Sequence, residues 1–346
     1  MSVDGEPEAI VERRGRAGLI TLNRPRALNA LTLGMVRVMA SALDAFEADS
    51  AIERIVVKGA PGRAFCAGGD IRKLYEQGRA GDHAAQLSFW REEYILNRRI
   101  KRFPKPYVAL IDGIVMGGGV GVSLHGSHRV ASERCVFAMP EVGIGFFPDV
   151  GATFLMPRLP RRIGVYLAVT GLRADGADML ALGLATSFTA SAGFAALEQA
   201  LCEDGGSVDA ILSRHADPAP ASPLLASAAE IEGAFAKLDV AAIRAALAGS
   251  AFGATALAAM KKASPTSQAI VLRQMELGAG LSFEQAMTAE FRVVSRICRG
   301  HDFYEGVRAT IIDKDGAPAW RPEPEPIEPY FAPLGAEDLT FPEWRA

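Results

Sequence analysis

The chain has 346 residues, 49% hydrophobic and 22% charged, which supplies a sizeable buried core for one large or two smaller domains and excludes a largely disordered chain. A formal net charge of -3 offers no basic field for nucleic acid, so no nucleic-acid partner is expected and an anionic ligand has to be met by local cations. The cysteines Cys66, Cys135, Cys202 and Cys298 are far apart and form no C-x-x-C, which reads as reduced thiols in a cytoplasmic type of compartment. The N-terminal stretch lacks the apolar core of a secretory signal, and no apolar run reaches the length of a membrane span. A cytoplasmic location with no membrane partner is therefore expected.

In chain order, AGLITL at 17 to 22 predicts a strand ending in the turn Asn23-Arg24-Pro25. A helix follows from about Thr32, with Val36, Met39, Leu43 and Phe46 at helical spacing. A strand at 52 to 58 runs into a loop whose Gly68-Gly69-Asp70 precedes a helix from Ile71. Residues 83 to 102 read as a helix stopped by Phe103-Pro104-Lys105-Pro106, and Tyr107 to Ile111 as the central strand. Gly117, Gly118 and Gly119 then open onto a small-residue helix at 120 to 124. Two glycine loops thus each follow a strand and precede a helix, so two backbone N–H groups can converge on one oxygen. Glu141 and Asp149, each directly after a proline, form a candidate acid/base pair. Taken singly, Glu141 also reads as an exposed loop carboxylate and Asp149 as the N-cap of the next helix. Helices are expected at 163 to 170 and 174 to 182, the succession indicating α/β layering. Alanine-rich helices follow from about 190, and a proline-rich acidic tail beyond Trp320 is expected to lie extended on the surface.

Other motifs carry less. A G-x-G-x-x-G match starting at Gly117 or Gly119 needs glycine where Val122 or Leu124 stands, which argues against a dinucleotide fingerprint. Gly121-Val122-Ser123-Leu124-His125 lacks the last glycine of a nucleophile elbow, so Ser123 reads as helix packing. His125 and His128 have no partner motif for a metal, and none is expected.

The segments ITLNRPRALNAL (20 to 31), AFCAGGDI (64 to 71) and GIVMGGGVGVSLHGSHRVASERCVFAMPEVGIGFFPDVGATFLMPRL (from Gly113) resemble the enoyl-CoA hydratase/isomerase, or crotonase, superfamily in the family's order. The resemblance implies an α/β fold with a crotonase-like ββα spiral core at 1-205, a helical C-terminal region at 206-320 and the tail at 321-346. It implies acyl-CoA thioester substrates, with coenzyme A as part of the substrate and no separate cofactor, and an oxyanion hole from the Gly69 and Gly118 amides. Hydratases of the family carry a glutamate where this chain has Gly121, leaving Glu141 as the remaining one. FFPDVG, SPTSQAIVLRQ (264 to 274) and HDFYEGVRATIIDKDGAPAW (301 to 320) are similar to the 3-hydroxyisobutyryl-CoA hydrolase subgroup of valine degradation. That subgroup implies a thioester hydrolase in which Glu141 is nucleophile or base and Asp149 orients the substrate hydroxyl or assists proton transfer. Arg24, Arg26, Leu28 and Lys314 are the implied CoA contacts. The alternatives are an enoyl-CoA hydratase/isomerase and a non-catalytic CoA-binding protein. Family members often form trimers or dimers of trimers, so a homo-oligomer is a further expectation.

Overall fold

The computed structural model describes residues 6–343. The first five residues, where the N-terminal reading begins, and the last three of the tail lie outside them. Among the described residues ten strands form two sheets. The larger has the order β1 (Ala9–Arg14), β2 (Ala17–Leu22), β3 (Arg54–Gly59), β5 (Tyr107–Ile111), β7 (His128–Ala131) and β10 (Ser187–Phe188). The smaller runs β4 (Ala64–Cys66), β6 (Ile114–Met116), β8 (Val136–Ala138) and β9 (Ala174–Asp175). β1 pairs antiparallel with β2 and β8 with β9, and the remaining pairs are parallel. All five side chains of β5 are buried, as a parallel strand covered on both faces requires.

The strands alternate between sheets: β3, β5 and β7 of the large sheet are each followed by β4, β6 and β8 of the small one. Helix α1 (Leu33–Ala48) precedes this succession, and its N-cap Thr32 accepts from the Met35 amide at 3.1 Å. Helices α2 (Ile71–Arg79) and α3 (His83–Lys101) fill the link from β4 to β5, and the short α4 (Gly118–Gly121) the link from β6 to β7. The side-chain carboxylates of Asp70 and Asp82 cap α2 and α3. This is the ββα spiral expected from the resemblance. Beyond Phe188 no strand occurs among the described residues; helices continue through Pro265–Gly278, Phe283–Ile297 and His301–Val307. None of the described helices is long and apolar enough to cross a membrane.

Three expectations are corrected. The helix read at 174 to 182 begins with β9, and the helix proper is Gly176–Ala181, because Asp175 forms a capping box with Asp178. The helix read at 120 to 124 starts two residues earlier, at Gly118. The proline-rich tail is not merely extended on the surface. Its prolines exclude a long helix, yet Tyr330 and Leu339 are buried, and Arg292 donates from Nε and Nη2 to Asp338 at 2.8 and 2.7 Å. Apolar residues spaced among the prolines find the core even where regular structure is barred.

Candidate active site

The topology itself gathers the site. β4, β6 and β8 are neighbouring parallel strands, and each is followed within three residues by a candidate group: Gly69 after Cys66, Gly118 after Met116, Glu141 after Ala138. The carboxyl ends of adjacent parallel strands form a crevice in which ligands of α/β folds commonly sit. Here a cavity of about 790 Å³ opens, lined by Gly69, Gly118, Glu141 and Asp149 and by Arg26, Leu28 and Lys314.

Backbone conformation aims the two amides. Leu31 bridges the loop after β4, donating to Gly68 O at 2.8 Å and accepting from Asp70 N at 2.9 Å. In such a parallel bridge the N–H of the intervening Gly69 points to the opposite side. Gly68 adopts φ +121° and Gly117 φ +46°, a region disfavoured for residues with a Cβ. Gly118 is the first residue of α4, so its N–H has no partner within that helix.

Glu141 is buried rather than an exposed loop carboxylate, its Oε1 lies beside Gly117, and its Oε2 has no hydrogen-bond partner among the described residues. Burial, and then the charge of Asp149, pushes its carboxyl well above the ordinary range. Asp149 does not cap the following helix with its side chain; the N-cap is Gly151. Instead its Oδ2 accepts from the Tyr94 hydroxyl of α3 at 2.8 Å. Burial pushes the Asp149 carboxyl up to about 7, with the Tyr94 hydrogen bond holding it back.

The segment carrying Asp149 is tied from four sides. Val150 and Gly151 have φ +51° and +93°, costly for a β-branched residue. His125 Nε2 meets Val150 O at 2.6 Å, and its ring, pushed down to about 4 by burial, is neutral and donates. Gln274 Nε2 donates to Pro148 O at 2.9 Å and to Thr153 Oγ1 at 2.8 Å. Buried Glu290 accepts from the Gly151 and Thr153 amides, each at 2.8 Å, and burial pushes it up to about 8.

A further cavity carboxyl escaped the sequence reading. Glu93 of α3 is buried, lines the cavity, and has Oε1 without a partner among the described residues. A Cβ built on Gly118 would overlap that oxygen. Burial and then Asp149 push its carboxyl well above the ordinary range. The signal was present in the spacing: Glu93 shares a helix face with Phe89, Trp90, Asn97 and Ile100, all buried, so a carboxylate stands where periodicity asks for an apolar residue.

Of the implied CoA contacts, the structure brings Arg26, Leu28 and Lys314 to the cavity and leaves Arg24 off its lining. The Arg24 guanidinium donates to Asp70 Oδ2 at 3.0 Å and to Ala30 O at 2.7 Å and lies 3.3 Å from Glu8. Arg72 and Thr310, not anticipated from sequence, join the lining. Thr310 comes from a π-helical turn, Arg308–Ile312, an element that recurs at functional sites. Among the described residues no group of three or more His, Cys, Asp or Glu side chains is arranged so that it could hold a metal ion.

The raised Asp149 carboxyl has a consequence for stability. The unfolded chain releases this proton near the ordinary value of 3.8, the folded chain only near 7. Its stabilising effect is thus complete at low pH and lost as pH rises through about 7. Asp149→Asn, which removes the buried charge, is expected to raise the melting temperature relative to the parent at about pH 8 and to leave it little changed near pH 4. Thermal melts of both proteins at the two pH values check this; a lower melting temperature for the variant at the higher pH would contradict it.

Comparison with known proteins agrees with the geometry. A family model described as enoyl-CoA hydratase/isomerase matches residues 17–326. The mitochondrial 3-hydroxyisobutyryl-CoA hydrolase of Xenopus tropicalis is 45% identical over 351 residues, covering 96% of this chain and 91% of that protein. Its Homo sapiens counterpart is 42% identical over 367 residues, covering 98% and 92%. Among solved structures, a carnitinyl-CoA dehydratase from Mycobacterium thermoresistibile superposes with a TM-score of 0.92 at 40% identity, over 97% of this chain and 99% of that one. An enoyl-CoA hydratase from Rhodobacter sphaeroides 2.4.1 gives 0.90 at 40% identity, over 97% and 100%. With the family match, the full-length relatives and the spiral fold in agreement, the chain belongs to the enoyl-CoA hydratase/isomerase family.

Proposed function

We propose that this protein hydrolyses a short-chain 3-hydroxyacyl-CoA thioester, 3-hydroxyisobutyryl-CoA first among them, to the free hydroxy acid and CoA. The observation that carries this reading over hydration lies at Gly121. A Cβ there would stand 2.7 Å from Asn97 Nδ2 and 2.9 Å from Asn97 Oδ1. A glutamate at 121, which hydratases of the family carry, therefore has no room without displacing Asn97. The names of the curated relatives also favour hydrolysis, whereas the two superposed structures are named for hydration and dehydration.

In this reading the thioester oxygen sits between the Gly69 and Gly118 amides, which stabilise the charge it gains in the tetrahedral state. Glu141 drives the attack, as base toward water or as nucleophile forming an anhydride that water then opens. Both routes break the carbon–sulfur bond and consume one water. Asp149, whose carboxyl burial raises to about 7, gives a proton to the departing CoA thiolate and recovers it from water. Arg26, Arg72 and Lys314 meet the phosphates of CoA. In this reading the product acid suits a role in valine degradation, as the resemblance implies. Burial pushes Cys66, Cys135 and Cys298 to about 12, and such inert, unpaired thiols suit a reducing compartment; the curated relatives are named as mitochondrial.

One observation favours the hydratase reading: Glu93 adds a further buried carboxyl to the cavity that Glu141 lines. Thiol release from 3-hydroxyisobutyryl-CoA, 3-hydroxypropionyl-CoA and acetyl-CoA tests the hydrolase. Cleavage of the hydroxyacyl thioesters well above acetyl-CoA supports it; absence of thiol from all three contradicts it.

A further inference from the structure

The chain as a whole is slightly acidic, with a net charge of -3, so a local surplus of cations away from the active site calls for a counter-charge. One lies where the helix Phe283–Ile297 gives way to His301–Val307 and the proline-rich tail packs back. A pocket of about 530 Å³ opens there, and Arg296, Arg299, His301 and Arg321 share its lining with one carboxylate, Glu325. None of these residues lines the acyl-CoA cavity. Arg321 pairs with Glu325. Arg296 donates from Nη1 to the carbonyls of Arg292 and Tyr330 at 3.0 and 3.1 Å, and Asp338, whose charge reaches it, is already paired with Arg292. Arg299 is exposed, and its guanidinium makes no ion pair among the described residues. Like charges gathered with too little counter-charge repel one another, and a bound anion relieves that repulsion.

The pocket continues inward. Gly300, His301, Glu325 and Tyr330 also line a recess of about 10 Å³, room for a single water or one ligand oxygen. Ser264, Thr266 and Ser267, the N-cap and first turn of the helix Pro265–Gly278, line the same recess. Two of these hydroxyls are engaged: Ser264 Oγ donates to Asp302 Oδ2 at 2.6 Å, and Thr266 Oγ1 accepts from the Glu325 amide at 3.2 Å. Ser267 is fully buried, and its Oγ has no hydrogen-bond partner among the described residues. A buried hydroxyl left open beneath a basic pocket is a donor for an anionic oxygen.

We propose that this pocket is a second ligand site, separate from the acyl-CoA cavity, for a small phosphate-bearing anion. Guanidinium forks pair with phosphate oxygens two at a time, so three arginines match a diphosphate group, and the recess at Ser267 takes one further oxygen. The diphosphate is either free or carried on a nucleotide. Gly145 lines the recess while its chain neighbours Ile144 and Phe146 line the acyl-CoA cavity, so the segment that carries Glu141 separates the two sites. The inference does not depend on which reaction the cavity performs.

Calorimetric titration of the intact protein with inorganic pyrophosphate, and separately with ADP, tests it. Because the acyl-CoA cavity holds cations of its own, the titrations are repeated on an Arg26→Ala/Lys314→Ala variant. Pyrophosphate is expected to bind that variant within about threefold of the parent, whereas Arg299→Glu lowers the affinity by about tenfold or more and Ser267→Ala by a few-fold. Affinity for CoA should change by no more than about twofold in Arg299→Glu, since an exposed residue outside the cavity has little influence there. Tighter binding of ADP than of pyrophosphate identifies a nucleotide as the source of the diphosphate, and equal binding a free diphosphate; either result upholds the site. Pyrophosphate affinity that falls in Arg26→Ala/Lys314→Ala but in neither Arg299→Glu nor Ser267→Ala places the binding in the acyl-CoA cavity and overturns the proposal, as does a parent protein that binds neither probe at millimolar concentration.

Discussion

Glu141→Gln is expected to lower thiol release from 3-hydroxyisobutyryl-CoA by about 10³-fold or more, with affinity for the CoA portion of the substrate changed only a few-fold. Glutamine matches glutamate in size, and because Glu141 Oε2 has no partner among the described residues, the amide breaks no internal hydrogen bond through that atom. The variant also removes a carboxyl whose ionised form is costly in this site, since burial and Asp149 both oppose its charge. Stability should therefore hold while chemistry fails. Initial-rate thiol assays and calorimetric CoA titration check both halves. A variant retaining more than about a tenth of the parental rate would take Glu141 out of the mechanism.

The second large effect concerns the oxyanion amide. Gly118→Pro removes the N–H proposed to stabilise the tetrahedral state, and Gly118→Ala retains it. Both add a Cβ that crowds Glu93 Oε1 and approaches Leu31 Cδ1 to 3.1 Å. The steric cost is thus largely common to the pair, and the difference between them isolates the amide. Gly118 is the first residue of α4, a position where proline's fixed φ and missing N–H are tolerated. The proline variant is expected to be slower than the alanine variant by about 10² to 10³-fold in kcat. Circular dichroism on both verifies the fold, and equal rates for the two variants would remove the Gly118 amide from the oxyanion hole.

The location of the site was legible in the sequence because its parts follow strands directly. The buried run of β5, the glycine pair after β4 and the three glycines after β6 are local signals, and parallel pairing converts their similar offsets into proximity. Asp149 was legible as a residue of interest but not in its surroundings. The groups that define it, Tyr94 and Glu290, lie far away along the chain, and local pattern suggested a cap. Glu93 was passed over for a related reason: a carboxylate in a helix rich in arginine and glutamate reads as a solvated face until Trp90 and Tyr94 are seen to bury that side. Arg24 and Arg26 are two residues apart and indistinguishable in sequence, yet Asp70, Ala30 and Glu8 hold one away from the cavity lining while the other joins it. The tail was read from its prolines, which govern backbone conformation, whereas Tyr330 and Leu339 decide where it packs.

One substrate sets the two chemistries of the family against each other. 3-Hydroxyisobutyryl-CoA can lose CoA by hydrolysis, releasing a thiol, or lose water, giving a conjugated thioester with its own ultraviolet absorbance. Both signals can be followed in one reaction with the intact protein. Hydrolysis at a site that holds Gly121, backed by Asn97, in place of a glutamate predicts thiol release matching substrate loss, with no rise in conjugated absorbance. A rise in absorbance with no free thiol would contradict the hydrolase assignment and favour the hydratase reading.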